Sequence, residues 1–139
     1  MYARILELLR RQPLPISGLF LFSLYMTFVY CPYDLLVKPF LQDVESAREV
    51  WLGYMLRGWA AKLTEPLHWA IYAAIVYGFY RDERWVWPLA SLYVAQVAIA
   101  SLVWTLLYAT YGPVGHVLAV VVTLLFGALA VQIWRARPA

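Results

Sequence analysis

The sequence predicts an all-α integral membrane protein, a four-helix bundle with an amphipathic connecting helix between spans one and two. Hydrophobic residues make up 64% of the 139 residues and charged residues only 14%, which excludes an ordinary soluble domain. The apolar residues also gather in long segments, as membrane spans require. We therefore expect a single transmembrane domain, residues 1–139, with spans at about 14–36, 62–80, 86–108 and 113–134.

The second span is the shortest of the four. Its continuous apolar part covers about residues 66–80, fewer than the ~20 residues that cross a hydrocarbon core. It reaches that length if the helix runs back through Trp59 with Lys62 extended to the interface, or if the bilayer thins around it. Thr64 is the expected N-cap and Pro66 suits a first turn, so the helix should begin near Glu65.

Polar residues on the first span predict a face that points into the protein. They recur at spacings of four, three and four residues: Ser23, Thr27, Tyr30 and Asp34. Pro32 removes one backbone hydrogen bond and predicts a kink just before Asp34. An alternative stays open, in which the small hydroxyl residues only help helices to approach and Asp34 faces lipid headgroups.

The connection between the first two spans is too long for a hairpin loop and too apolar for a free one. Its large apolar residues fall at helical spacing, opposite Arg48, Glu49 and Arg57. We expect an amphipathic helix over about residues 46–62, lying against the bundle or the outer leaflet.

Titratable residues open the second span. Glu65, His68 and Tyr72 fall on one helical face at 100° per residue. An acid and an imidazole on one face are groups that general acid–base catalysis uses, so Glu65 and His68 are the catalytic candidates if the protein is an enzyme, which the sequence does not decide. The alternative is a capped helix with interfacial anchors.

Basic residues predict the orientation. Seven lie at the two termini and in the loop after the second span: Arg4, Arg10, Arg11, Arg81, Arg84, Arg135 and Arg137. Four lie on the other side: Lys38, Arg48, Arg57 and Lys62. By the positive-inside rule we expect both termini in the cytoplasm, and the inner membrane if the protein is bacterial. This distribution implies no binding to nucleic acid.

The expected topology gathers polar groups toward the outer leaflet, where Asp34, Glu65 and His116 lie near span ends, while Gln96 lies deeper in the third span. The candidate ligand-binding residues are Asp34, Tyr30, Thr27, Tyr72, Gln96 and His116. Among the possible metal ligands, only Glu65 and His68 have a spacing seen at metal sites. One pair is too few ligands for such a site, so we expect no metal, and we also expect no cofactor.

Three stretches carry a resemblance to a known family: Met26-Thr-Phe-Val-Tyr-Cys-Pro-Tyr-Asp34, Trp59-Ala-Ala-Lys-Leu-Thr-Glu-Pro-Leu67, and Trp85 to Tyr93. They resemble the EXPERA group, which contains the emopamil-binding sterol isomerases and the sigma-2 receptor. The resemblance implies a four-helix membrane protein that encloses a lipid-like ligand, with Asp34 pairing with a cationic ligand and Glu65 bracing the outer connection. The acid that the family carries within its second span has no counterpart among Ile71 to Tyr80, so isomerase activity is not implied.

Converging polar faces predict a multi-pass membrane protein that binds a hydrophobic, sterol-like or isoprenoid-like small molecule in an intramembrane cavity. The alternative is a non-catalytic accessory or structural subunit of a larger membrane complex, packed through its aromatic surface and the small residues of the fourth span. The expected partners are the lipid bilayer and the hydrophobic ligand, and assembly into a homo- or hetero-oligomer is left open. A cavity lined by Asp34, Glu65 and His68 would favour the first interpretation.

Overall fold

The computed structural model describes residues 2–108 and 112–137, and these are mostly helical, as the sequence predicts. The helices are α1 (Tyr2–Arg11), α2 (Leu14–Tyr25), α3 (Cys31–Leu36), α4 (Trp59–Lys62), α5 (Glu65–Arg81), α6 (Val86–Leu107) and α7 (Pro113–Arg135). A π-helical stretch, Met26–Tyr30, joins α2 to α3, and short 3₁₀ turns lie at Lys38–Phe40 and Val44–Ser46. The strands β1 (Arg48–Trp51) and β2 (Tyr54–Arg57) form a hairpin.

Three helical stretches among the described residues are long and apolar enough to cross a membrane: Leu14–Phe40, Val86–Leu107 and Pro113–Arg135. These helical stretches coincide with the predicted first, third and fourth spans. The predicted second span forms α5, which begins at Glu65 as expected but holds only 17 residues. Its length of roughly 25 Å is less than the thickness of a hydrocarbon core. That α5 crosses the membrane, and that four helices form the bundle, stay predictions.

The amphipathic helix expected over residues 46–62 is wrong. The chain there forms the hairpin of β1 and β2, and only Trp59–Lys62 is helical. Leu52 and Gly53 have φ values of 47° and 89°, the positive angles at both central positions that a two-residue hairpin turn of type I′ requires. The hairpin is closed by the Gly58 N–H, which donates to the Ala47 carbonyl at 2.9 Å. Val50, Trp51 and Tyr54 also favour a strand intrinsically.

The kink predicted at Pro32 takes the form of the π-helical stretch Met26–Tyr30, called the π segment below. The Cys31 N–H donates to the Met26 carbonyl, five residues back. A proline ring clashes with the carbonyl four residues before it in an α-helix, and a wider turn relieves that clash. The first span therefore continues past Pro32 as α3 instead of ending there.

The chain divides into two compact units, Met1–Ala47 with Arg57–Val86, and Arg48–Leu56 with Trp87–Ala139. In the first unit, α2, the π segment and α3 all pack along α5. Phe20 meets Phe79 edge-on with ring centroids 6.3 Å apart, and Phe22 meets Tyr72 in the same way at 5.9 Å. In the second unit the Ser91 hydroxyl donates to the Ala130 carbonyl at 2.8 Å, joining α6 to α7. The single-domain assignment stays a prediction.

A tight turn connects α5 to α6. Asp82 ends α5 in the left-handed conformation (φ 55°), and the Glu83 N–H donates to the Gly78 carbonyl at 2.9 Å. Gly78 lies so close to Val86 that a Cβ on the glycine would be 2.6 Å from the Cβ of Val86. The absence of a side chain at Gly78 therefore allows the chain to fold back closely here.

Candidate functional site

Four charged side chains meet where the first span ends and α5 begins: Asp34, Lys38, Lys62 and Glu65. This group is called the ion cluster below. Lys38 Nζ lies 2.5 Å from Asp34 Oδ1. Lys62 Nζ lies 2.6 Å from Glu65 Oε1 and 3.7 Å from Asp34 Oδ1. Lys62 therefore connects the two acids, which are 31 positions apart in the sequence (65 minus 34).

The ion cluster is shielded from solvent. The exposed fraction of the side chain is 9% for Lys62, 12% for Asp34 and 14% for Glu65, whereas Lys38 is 31% exposed. A buried charge costs several kcal/mol unless it is paired and hydrogen-bonded. Lys62 meets this need with a further bond, since its Nζ donates to the backbone carbonyl of Asp34 at 3.2 Å. The ammonium of Lys62 is thus the centre of the cluster.

Local turns place Lys62. Gly58 has a φ of 54°, and a Cβ there would lie 3.0 Å from Glu45 Oε2, so a glycine suits the step from β2 into α4. The short helix α4 ends at Lys62, and Glu65 follows three residues later on the same side of the chain. The turn at Gly58 and the helix α4 together place the Lys62 side chain within reach of Asp34.

The predicted capping role of Thr64 is wrong. Its side chain makes no cap hydrogen bond to α5, and the hydroxyl instead donates to the Ala61 carbonyl at 2.6 Å. Thr64 has helical angles (φ −83°, ψ −17°), whereas a capping residue needs an extended backbone to turn its oxygen toward the helix. The bond to Ala61 closes α4 and leaves α5 to start at Glu65.

The polar face of the first span is buried at Ser23, Thr27 and Asp34, but Tyr30 is 39% exposed. The π segment explains the difference, because its wider turn rotates the next part of the helix and places Cys31 in the buried position. On α5, Tyr72 is buried and His68 is half-buried one turn after Glu65.

The remaining predicted residues belong to the second unit. Gln96 is buried on α6, and its Oε1 accepts no hydrogen bond within the described residues, so no interhelical bond to this oxygen is found there. His116 lies in the first turn of α7, with Nδ1 3.2 Å from the Gly112 carbonyl. Their roles in ligand binding stay predictions.

Sequence reasoning missed the central part that the lysines play. Hydropathy assigns Lys62 only to the interface, and the charge pattern uses Lys38 only for orientation. The spacings contained a signal, because Lys38 follows Asp34 by four residues and Lys62 precedes Glu65 by three, the separations at which opposite charges pair on a helix.

An apolar groove, named so below, runs between the first span and α5. Its volume is about 530 Å³, within the range of small-molecule sites. Eight residues line it: Thr27, Phe28, Pro32, Trp69, Ala73, Val76, Tyr77 and Tyr80. None of the four residues of the ion cluster lines the groove, but Pro32 lies two residues before Asp34 and Trp69 one helical turn after Glu65. Of the predicted ligand-binding residues Thr27 lines it, whereas Asp34, Glu65 and His68, whose shared cavity would have favoured ligand binding, do not.

A hydrogen bond joins the two helices that form the apolar groove. The Trp69 indole Nε1–H donates to the backbone carbonyl of Thr27 at 2.8 Å. Both residues also line the groove. The bond therefore ties α5 to the π segment at the site itself.

Within residues 2–108 and 112–137, no three His, Cys, Asp or Glu side chains are grouped so that they could hold a metal ion. Comparisons with protein-family models, with curated proteins and with solved structures give no match. The fold defines a mostly helical membrane protein with three stretches able to span the bilayer. The ion cluster and the apolar groove are the features of this fold that bear on function.

Proposed function

We propose that the protein binds a hydrophobic small molecule, sterol-like or isoprenoid-like, in the apolar groove within the membrane. The groove itself carries this proposal: about 530 Å³ of space lined by four aromatic side chains, a proline and small aliphatic residues. Aromatic walls with few polar atoms suit a rigid or unsaturated hydrocarbon body.

The groove opens sideways. Phe28 and Tyr77 on its rim are 70% and 56% exposed, and in a bilayer these faces meet lipid chains. A molecule that moves from lipid into the groove gains little from the hydrophobic effect, because its surroundings are apolar before and after. Selection must therefore come from shape and from contacts with the aromatic rings.

The ion cluster would receive the polar end of an amphiphilic ligand. Its two lysines balance its two acids when all are charged, and Asp34 already pairs with Lys38 and lies near Lys62. A cationic ligand, which the EXPERA resemblance implies for Asp34, would have to compete with both ammonium groups. We therefore favour a neutral hydroxyl or carbonyl as the polar end. The resemblance itself stays a prediction.

The proposal is one of binding and includes no reaction. Glu65 Oε1 is held by Lys62 Nζ at 2.6 Å, so using this carboxylate as a base would require breaking that pair. The catalytic assignment of Glu65 and His68 stays a prediction. An activity that depends on His68 but survives in Glu65→Gln would show that the two do not act together.

Filling the apolar groove tests the proposal. Ala73→Phe places a ring in the space, whereas Ala70→Phe introduces the same ring on an exposed face of the same helix, outside the groove. With diazirine-labelled sterol and polyisoprenoid probes, we expect light-induced labelling of the groove peptides to fall at least about tenfold in Ala73→Phe and to persist in Ala70→Phe. Equal labelling of both variants and the unaltered protein would contradict a binding site here.

A second candidate, an accessory or structural subunit, is favoured by the surface of α7. Only 6% of its most apolar stretch is buried. A partner protein that crosslinks to α7 in membranes, together with probe labelling that Ala73→Phe leaves unchanged, would put this candidate ahead.

We further propose that both termini face the cytoplasm, following the basic residues. In a protein with Cys31→Ser, a membrane-impermeant thiol reagent should label Ser46→Cys from outside and Glu83→Cys only after permeabilisation. The reverse pattern would invert the topology and place the ion cluster at the inner leaflet.

A further inference from the structure

The π segment leaves the Thr27 carbonyl without a main-chain donor. In an α-helix its donor would be the Cys31 N–H, but that group donates to Met26. In the π register the donor would be residue 32, and Pro32 has no N–H. A buried carbonyl without a partner costs free energy, so this atom needs a donor from elsewhere.

Trp69 supplies it, with Nε1 2.8 Å from the Thr27 oxygen. We propose that the Trp69 indole N–H takes the place of the N–H that Pro32 lacks, and so holds the π segment in the register that forms one wall of the apolar groove. Thr27, Pro32 and Trp69 all line that wall. Trp69 is thus a positioning residue. Its indole holds the π segment through a hydrogen bond that phenylalanine cannot make.

The hydrogen bond from Trp69 has two consequences, one for the helix and one for a ligand. The pairing of Trp69 with the missing N–H depends only on the π register and stands whether or not a ligand binds. Its effect on a ligand rests on the proposed function, because only then does the shape of the groove matter. π-helical turns inside α-helices are frequent at functional sites, where they reshape a wall without breaking the helix.

A rescue experiment tests the pairing. Trp69→Phe removes the donor, and Pro32→Ala restores a main-chain N–H. With alanine at 32, Thr27 has a main-chain donor in either register: residue 32 in the π form, Cys31 in the α form. We expect Trp69→Phe to lower the melting temperature in detergent by on the order of 4 °C with Pro32 present, and by less than half as much in the Pro32→Ala background.

Matched variants isolate the effect. Trp59→Phe removes an indole that is 64% exposed, and Pro66→Ala adds an N–H in the first turn of α5, where it is not the helical donor of the Thr27 carbonyl in either register. Neither Trp59→Phe combined with Pro32→Ala nor Trp69→Phe combined with Pro66→Ala should show the rescue. Equal losses from Trp69→Phe in both backgrounds would overturn the proposal. If Trp69→Phe does not fold, recovery of folding in Trp69→Phe/Pro32→Ala supports the pairing, and failure to recover refutes it.

A second measurement separates the pairing from the ligand. Brominated sterol quenches indole fluorescence on contact, so a ligand in the groove should quench the unaltered protein more than Trp69→Phe/Pro32→Ala, which lacks that indole. Photolabelling of Trp69→Phe alone should fall several-fold. Rescue of stability with no difference in quenching or labelling would leave the pairing intact and reject the proposed function. A difference in quenching without rescue of stability would support the proposed function and reject the pairing of Trp69 with the Thr27 carbonyl.

Discussion

The first span and α7 are both long, apolar helices, but their surroundings differ. In the most apolar stretch of Leu14–Phe40, 39% is buried, against 6% in Pro113–Arg135. The first span buries Ser23, Thr27 and Asp34, each less than 9% exposed. In α7, His116 and Thr123 are half-buried and Gln132 is exposed. Hydrophobicity alone therefore does not separate a helix packed against the rest of the chain from one whose surface is left exposed.

The first span and α7 also differ in their hydrogen bonding. The Thr123 hydroxyl of α7 donates to the Ala119 carbonyl at 2.9 Å, one turn back in its own helix. In the first span, the backbone carbonyls of Thr27 and Asp34 accept hydrogen bonds from other elements, namely from Trp69 and Lys62, while the Asp34 carboxylate also pairs with Lys38 one turn further along. Substitutions near the first span should therefore propagate to other elements, and those in α7 should stay local.

The largest effect should come from Lys62→Met. This change keeps the length of the side chain but leaves the carboxylates of Asp34 and Glu65 without their shared ammonium. Removing one member of a buried ion pair typically costs 3–5 kcal/mol, so we expect a loss of about 3 kcal/mol in the free energy of unfolding. Reversible unfolding in mixed detergent, followed by circular dichroism, measures it.

Lys38→Met is the matched control, because the Lys38 side chain is 31% exposed. It should cost about 1 kcal/mol or less. A rescue follows as well: Lys62→Met with Glu65→Leu should regain part of the loss, since no uncompensated acid remains at 65. If Lys38→Met costs as much as Lys62→Met, the central role of Lys62 is wrong.

Gly78→Ala should come next in size. The added methyl would lie 2.6 Å from the Cβ and 2.8 Å from the Cγ2 of Val86, which is fully buried. Overpacking of this kind costs about 1–3 kcal/mol. We expect a matching fall in the free energy of unfolding. A neutral result would show that the turn between α5 and α6 can open without loss.

A double-mutant cycle on the acids should give a smaller effect. Asp34→Asn and Glu65→Gln both weaken contacts with Lys62, so the loss from the two together should differ from the sum by more than about 0.5 kcal/mol. The same cycle between Asp34→Asn and Glu7→Gln, whose partner is Arg11 on α1, should be additive. Additivity in both cycles would mean that the ion cluster does not act as a unit.

The sequence was a good guide to the three long apolar helices, because a bilayer demands such helices and few other patterns satisfy that demand. It was a poor guide to the hairpin. Val50, Trp51 and Tyr54 fall at the helical positions i, i+1 and i+4, whereas the adjacent pair Val50 and Trp51 breaks the alternation typical of a half-buried strand. The turn that decides between helix and hairpin places Leu52 at positive φ, and leucine is not a turn signal.

For the site, the depth of Asp34 and Glu65 near span ends singled out both acids. The lysine between them was missed because a lysine near a span end ordinarily extends to the interface. Pro32 predicted a kink, but a proline alone does not distinguish a bend from a π-helical turn. That distinction moved Tyr30 out of the buried face and gave Trp69 its acceptor, which depends on α5 and on no local pattern.

The smallest effect should come from Gly127→Ala on α7. Apart from its chain neighbours and its own helix backbone, no atom within the described residues lies within 4 Å of a Cβ built on Gly127, whereas a Cβ on Gly78 would meet Val86 at 2.6 Å. Alanine also favours the helix over glycine. We therefore expect the free energy of unfolding to change by no more than about 0.5 kcal/mol. The same change, a methyl in place of a hydrogen, thus compares α5 and α7 directly. A loss above about 1 kcal/mol for Gly127→Ala in purified protein, twice the range expected of an unpacked position, would show that α7 packs closely against another chain, and the accessory-subunit candidate would gain from it.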